Sequence, residues 1–160
     1  MSFREKVAWI SLLTTVGVWG FYFSRVVPAL AGGDAGAWQM ALFVECVLFT
    51  VIAQVVLTAV TAVGAPREAG APADEREVRI AARATVIAYA ILLGLVLCLA
   101  CATPFVLGIT LKVEGMTYVS LSSRGDPTVI VANGTLLAVV VAELVRSSAT
   151  LTFYRLGRAF

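Results

Sequence analysis

Four long apolar runs, at about residues 7–28, 37–64, 84–111 and 128–153, are separated by shorter segments that hold most of the charge. From Ala84 to Leu111 there is not one charged side chain. Roughly 20 apolar residues carry a helix across the hydrocarbon of a bilayer, and each run reaches that length. No water is present there to satisfy an open amide, so the backbone must bond within its own segment, and helices are predicted. The expected fold is all-α: one integral membrane domain over residues 1–160, a four-helix bundle in up-down-up-down order.

Composition agrees with that pattern. Hydrophobic residues make up 60% of the chain and charged ones 14%, against about 25% charged in a soluble domain. The net charge of +2 gives no general affinity for nucleic acid. Its distribution orients the helices. Arg4, Lys6, Arg67, Arg76, Arg79, Arg83, Arg155 and Arg158 flank the runs on one side, against Arg25, Lys112 and Arg124 on the other. The positive-inside bias then places both termini and the 65–83 loop in the cytoplasm, and the 112–127 loop outside. The location expected is the bacterial inner membrane, with membrane lipids as surroundings.

The basic start followed by apolar sequence, with Ala29-Leu30-Ala31 near its end, has the outline of a secretory leader. The run exceeds the roughly 7–15 residues of a leader's apolar region, so a retained first span is expected. Gly32, Gly33 and Gly36 permit a tight reversal into the second run. Trp19, Phe21, Tyr22, Phe23 and Trp38 near this junction read as interfacial anchors.

The 65–83 loop divides at Pro72 into an irregular linker and a helix start. Asp74 with Glu77 has the form of a capping box, and Glu75 with Arg79 that of an i, i+4 pair. One helix should run from Glu75 into the third run, about 55 Å if it reached Leu111, with a kink near Pro104. In the 112–127 loop, the Glu114-Gly115 turn signal and the β-like Met116 to Leu121 predict a small hairpin. Arg124-Gly125-Asp126 reads as the turn before the fourth run rather than as an adhesion tripeptide. Internal repetition is faint, since the acids of the second and fourth runs sit at different depths.

Ionisable groups within apolar runs are the first candidates for function. Here they are Arg25, Glu45, Glu143, Arg146 and Arg83. Glu45, roughly 10 Å inside the outer end of its run, is expected to pair with Arg25 across the short connection. Glu143, with Arg146 at i+3 and Arg83 at a similar level, should form a charge cluster on the cytoplasmic side, with Arg146 reaching back to the interface. Gln39, Gln54 and Asn133 can supply interhelical hydrogen bonds, each worth about 0.6–2 kcal/mol.

Cys98 and Cys101 form a C-x-x-C, with Cys46 at about the depth of Cys101. No second cysteine pair exists to relay electrons and no histidine to complete a metal site, so packing is the expected role and no metal or cofactor is assigned. Ala90, Gly94, Cys98 and Ala102 form a small-residue ridge, matched by Gly134, Ala138 and Ala142 on the fourth run. Such ridges allow close approach of helices, so the third and fourth runs are expected to meet along them, and a ridge left over would serve an oligomer.

Three passages, Phe3-Arg4-Glu5-Lys6-Val7-Ala8-Trp9-Ile10, Asp74-Glu75-Arg76-Glu77 through Ile80 to Arg83-Ala84, and Ala142-Glu143-Leu144-Val145-Arg146 followed by Tyr154-Arg155-Leu156-Gly157, occur in that order. The chain thereby resembles, over nearly its whole length, a family of small proteobacterial four-span membrane proteins of unknown function. That family more often ends Tyr-Arg-Arg-Gly, where this chain has Leu156. The resemblance implies a topology and an inner-membrane setting, and no activity.

No catalytic constellation or phosphate-binding loop is present. The function expected is that of a membrane accessory or interaction protein acting through its cytoplasmic charges, as a homo-oligomer or within a larger membrane complex. A proton-linked transporter or channel using Glu45 or Glu143 is the rival, and a redox enzyme built on Cys98 and Cys101 comes third.

Overall fold

The computed structural model describes residues 3–32, 36–70, 74–106, 112–113, 116–117 and 127–156. Four long helices dominate: α1 (Phe3–Gly32), α2 (Ala37–Gly64), α4 (Glu75–Val106) and α5 (Pro127–Leu156). All four are long and apolar enough to cross a membrane. Between α2 and α4 lies one short turn of helix, α3 (Pro66–Ala69), where an irregular linker was expected. Pro66 occupies its first turn, a position that needs no backbone N–H. The strands β1 (Lys112–Val113) and β2 (Met116–Thr117) pair antiparallel, Lys112 opposite Thr117 and Val113 opposite Met116. This is the expected hairpin in its shortest form. The expectations for Gly33, Pro72, Met116's continuation to Leu121, Arg124-Gly125-Asp126, Arg158 and the Gly157 ending fall wholly or partly outside the described residues.

Helix boundaries follow local chemistry, with two departures. α1 continues through Pro28 to Gly32, one turn beyond the predicted end. Proline removes one N–H from the ladder, so the Ser24 carbonyl loses its helical donor, while the four residues after Pro28 continue the helix. α4 is continuous from Glu75, and the Val78 amide donates to the Asp74 carbonyl at 3.0 Å, which puts Asp74 at the helix entrance as predicted. Glu77, however, directs its carboxylate to Arg4 on α1. Glu75 and Arg79 form no ion pair among the described residues.

The helices pack in the order α2–α1–α5–α4: α1 contacts α2 and α5, α5 also contacts α4, and among the described residues no packed interface joins α2 to α4. Trp19, Tyr22 and Val26 of α1, Cys46 of α2 and Val140 of α5 form the central apolar cluster, with Phe43 against Trp19 and Tyr22. Trp19 and Tyr22 are therefore core residues, not the interfacial anchors their position predicted. Their rings meet edge to face at 5.7 Å, an arrangement that adds about 0.5–1.5 kcal/mol to burial. Phe21 and Trp38 do face outward. Most of α2 is exposed apolar surface, including Leu48, Phe49, Val51 and Ile52. In water such a face would cost roughly 25 cal/mol per Å², whereas against lipid it costs nothing.

The two ridges behave differently. Ala138 and Ala142 are buried, and a β-carbon at Gly134 would lie 2.9 Å from Leu99 Cδ1, so α5 uses its small residues for close approach as expected. The α4 ridge of Ala90, Gly94, Cys98 and Ala102 is exposed throughout, and nothing lies within 4 Å of a β-carbon built on Gly94. α4 instead meets α5 through Ile80, Ala84 and Ala88, buried one turn apart, and farther on through Leu99. Both faces have four-residue spacing, so spacing by itself does not select the one that packs.

Candidate functional site

At the end of the bundle that carries the start of α1, polar groups from four helices surround a cavity of about 500 Å³. Arg4 and Ser11 come from α1, Gln54 and Thr58 from α2, Glu77 and Thr85 from α4, and Arg146, Ser147 and Thr150 from α5. Helical spacing explains how each element contributes. Residues three, four or seven apart share a face, as in Arg4/Ser11, Gln54/Thr58 and Arg146/Ser147/Thr150.

Two charge-assisted contacts connect the walls. Arg4 Nε lies 3.1 Å from Glu77 Oε2, joining α1 to α4. Ser11 Oγ donates to Glu143 Oε1 at 3.1 Å, and Arg146 Nη2 donates to the same oxygen at 2.7 Å. Glu143 is thus held from its own helix and from α1. The predicted Glu143–Arg146 pair forms, but Arg83 does not join it. Arg83 lines a separate crevice of about 560 Å³ with Arg76, Arg79, Phe153 and others, because the α4 face that meets α5 is the one bearing Ile80 and Ala84.

Several polar groups here are not engaged with protein. Gln54 and Ser147 make no side-chain hydrogen bond among the described residues, although Ser147 is only 5% exposed. Thr85 and Thr150 donate back to the carbonyls of Ala81 and Arg146 and keep acceptor lone pairs free. Beyond the cavity lining, the buried Trp9 indole N–H has no partner, and the Arg155 guanidinium lies 5.7 Å from the Trp9 ring.

Toward the other end, α1 and α2 enclose a groove of about 560 Å³ lined by Leu13, Gly17, Phe21, Cys46 and Phe49, with Glu45 as its one charged residue. The expected Glu45–Arg25 ion pair is absent among the described residues. The Arg25 guanidinium instead lies 5.6 Å from the centroid of Phe21, a groove residue, and both Arg25 and Glu45 are exposed. The reason is register: Trp19 and Tyr22 both meet Phe43, so Glu45 lies beside Gly17 and Val18, and Arg25 stands about two turns nearer the connection. Between this groove and α5, Tyr22 Oη donates to Asn133 Oδ1 at 2.8 Å, the interhelical bond expected of Asn133.

Cys46 is buried in the central cluster, whereas Cys98 and Cys101 are exposed on α4; all three are free thiols. Cys98 therefore has no packing role within the chain, contrary to the ridge expectation. No group of three or more metal-ligating acidic, cysteine or histidine residues occurs among the described residues.

Sequence reasoning singled out Glu143 and Arg146 but missed Ser11, Ser147, Thr58 and the Arg4–Glu77 link. The signal was present as polar positions at helical spacing on four different runs, yet nothing in the spacing says that the four stripes converge. Comparison with protein-family models, with curated proteins and with solved structures found no match.

Proposed function

We propose that this chain is a four-span, up-and-down membrane protein with both termini in the cytoplasm of a bacterium, and that it works by associating with other membrane helices, first of all with a second copy of itself. The observation that supports this reading is Glu45. It is a carboxylate about 12 Å along α2 from Ala37, in an otherwise apolar groove, without a cationic partner among the described residues. A lone charge at such a depth is costly, by about 2.5–3.5 kcal/mol at the bilayer centre on insertion scales.

Arg25 supplies the complement. It lies about 10 Å along α1 from Gly32, on the same side of the bundle's middle as Glu45 but about two turns nearer the connection, since Trp19 and Tyr22 both meet Phe43. In a two-fold pair about an axis along the bilayer normal, the long Arg25 side chain of one copy would reach along the interface toward the Glu45 of the other, twice over. The exposed Gly17 and the groove provide room for an incoming side chain.

The test is a charge swap read by cross-linking and single-molecule photobleaching in liposomes. Glu45→Arg and Arg25→Glu should each lower the dimer fraction about tenfold, and the double variant should recover it. A wild-type monomer at every protein-to-lipid ratio, or a double variant no better than the single ones, overturns the reading. The rival use of Glu45 as a proton-carrying site draws on the same unpartnered carboxylate. It predicts proton flux in proteoliposomes that Glu45→Gln abolishes. Glu143 is less suited to that role, being engaged by both Ser11 and Arg146.

A further inference from the structure

We infer that the polar cavity between α1, α2, α4 and α5 is a binding site for the phosphodiester headgroup of a glycerophospholipid from the cytoplasmic leaflet. Its volume of about 500 Å³ falls within the usual range for a small-ligand pocket. In the proposed orientation its lining residues lie in the cytoplasmic halves of their helices, from Arg4 and Glu77 at headgroup level to Gln54, about 15 Å along α2 from Gly64. The site rests on that orientation but not on the Glu45 contact, which lies toward the opposite end.

The chemistry of the lining fits a phosphodiester. Arg4 and Arg146 carry planar guanidinium groups, each with five N–H donors, of which the ion pairs with Glu77 and Glu143 use only part. Guanidinium groups match phosphate oxygens geometrically, and a shared carboxylate does not exhaust them. Ser147 is 95% buried by the complement of its 5% exposure, lines the cavity, and has no hydrogen-bond partner among the described residues. Gln54, opposite on α2, is likewise unpartnered. Unpaired polar groups within an apolar segment require a ligand or water, and these two line the same cavity as the two arginines.

The architecture also supplies a path for acyl chains. α2 and α4 form two walls of the cavity, yet no packed interface joins them, so the site opens sideways between two helices. Toward the bilayer centre from this level, α2 has no charge until Glu45, and α4 has none after Arg83 within its helix. A headgroup in the cavity would therefore leave its chains along apolar surfaces. A soluble phosphate would gain the polar contacts but not that burial.

Native mass spectrometry of the full chain extracted from bilayers of phosphatidylglycerol and phosphatidylethanolamine into mild detergent tests the site. Wild type should retain one phospholipid. Gln54→Leu with Ser147→Ala, which leaves no charge unpaired, should lower retention about tenfold, the effect of losing two hydrogen bonds. Arg146→Gln should lower it further, with circular dichroism and the extent of dimer cross-linking showing that the helices and the Glu45 face are retained. Equal retention by wild type and both variants would identify surface lipid and overturn the proposal. So would displacement by millimolar inorganic phosphate, which would make the ligand a free anion, or a cysteine placed at Thr58 that cross-links efficiently to another protein helix, which would make the cavity a docking site.

Discussion

Glu143 and Glu45 are both carboxylates within apolar helices, and the molecule treats them in opposite ways. Glu143 faces α1 and is met by Ser11 and Arg146 on one oxygen. Glu45 faces a groove of Leu13, Phe21 and Phe49 and is met by no cation among the described residues. An acid in an apolar run therefore has no single meaning. Where the neighbouring helix offers donors, it helps to hold the bundle; where it does not, it is available to something outside.

The sharpest test of that contrast is a pair of substitutions read by reversible unfolding in detergent. Arg146→Leu leaves Glu143 with only the Ser11 donor and should cost about 1 kcal/mol, the upper end for a partly exposed ion pair. Glu45→Leu should leave monomer stability within about 0.5 kcal/mol, since no intramolecular contact is removed. Comparable losses at both sites would erase the distinction.

A second contrast separates the two small-residue ridges. Gly134→Val drives a side chain into Leu99 and should cost about 1–3 kcal/mol through overpacking of α4 against α5. Gly94→Val meets nothing within the chain and should not lower monomer stability. A loss at Gly94 confined to the oligomer would show that the exposed α4 ridge is a further contact between chains.

Tyr22→Phe removes the hydrogen bond to Asn133 while keeping the ring in the core, and should cost about 0.6–1.7 kcal/mol. Smaller still is the effect of Arg4→Gln, because the Arg4–Glu77 pair is partly exposed and pairs of that kind contribute about 0.2–1 kcal/mol. Replacing Cys98 and Cys101 by Ala should change stability least. In detergent both should react with maleimide well before Cys46, which is buried against Trp19 and Tyr22. Protection of Cys98 or Cys101 in the assembled protein would locate a contact on α4.

Much of this architecture is legible in the chain itself. Apolar runs long enough to span a bilayer determine four helices, because unsatisfied backbone groups have no other outlet there, and Asp74 marks where α4 begins because the residues after it are in helical register. The Glu143–Arg146 pair is legible for a related reason: residues three apart on a helix must be neighbours. What the tertiary structure alone decided is rotation. A helix covered on one side by lipid and on another by apolar side chains carries little amphipathic signal, so the run does not announce which face turns inward. Hence Trp19 and Tyr22 enter the core while Phe21 stays outside, and the small residues of α5 are packed while those of α4 are bare. The convergence of Arg4, Gln54, Glu77 and Ser147 on one cavity depends on four such rotations at once, each set by the neighbouring helix through packing and hydrogen bonds that no single run encodes.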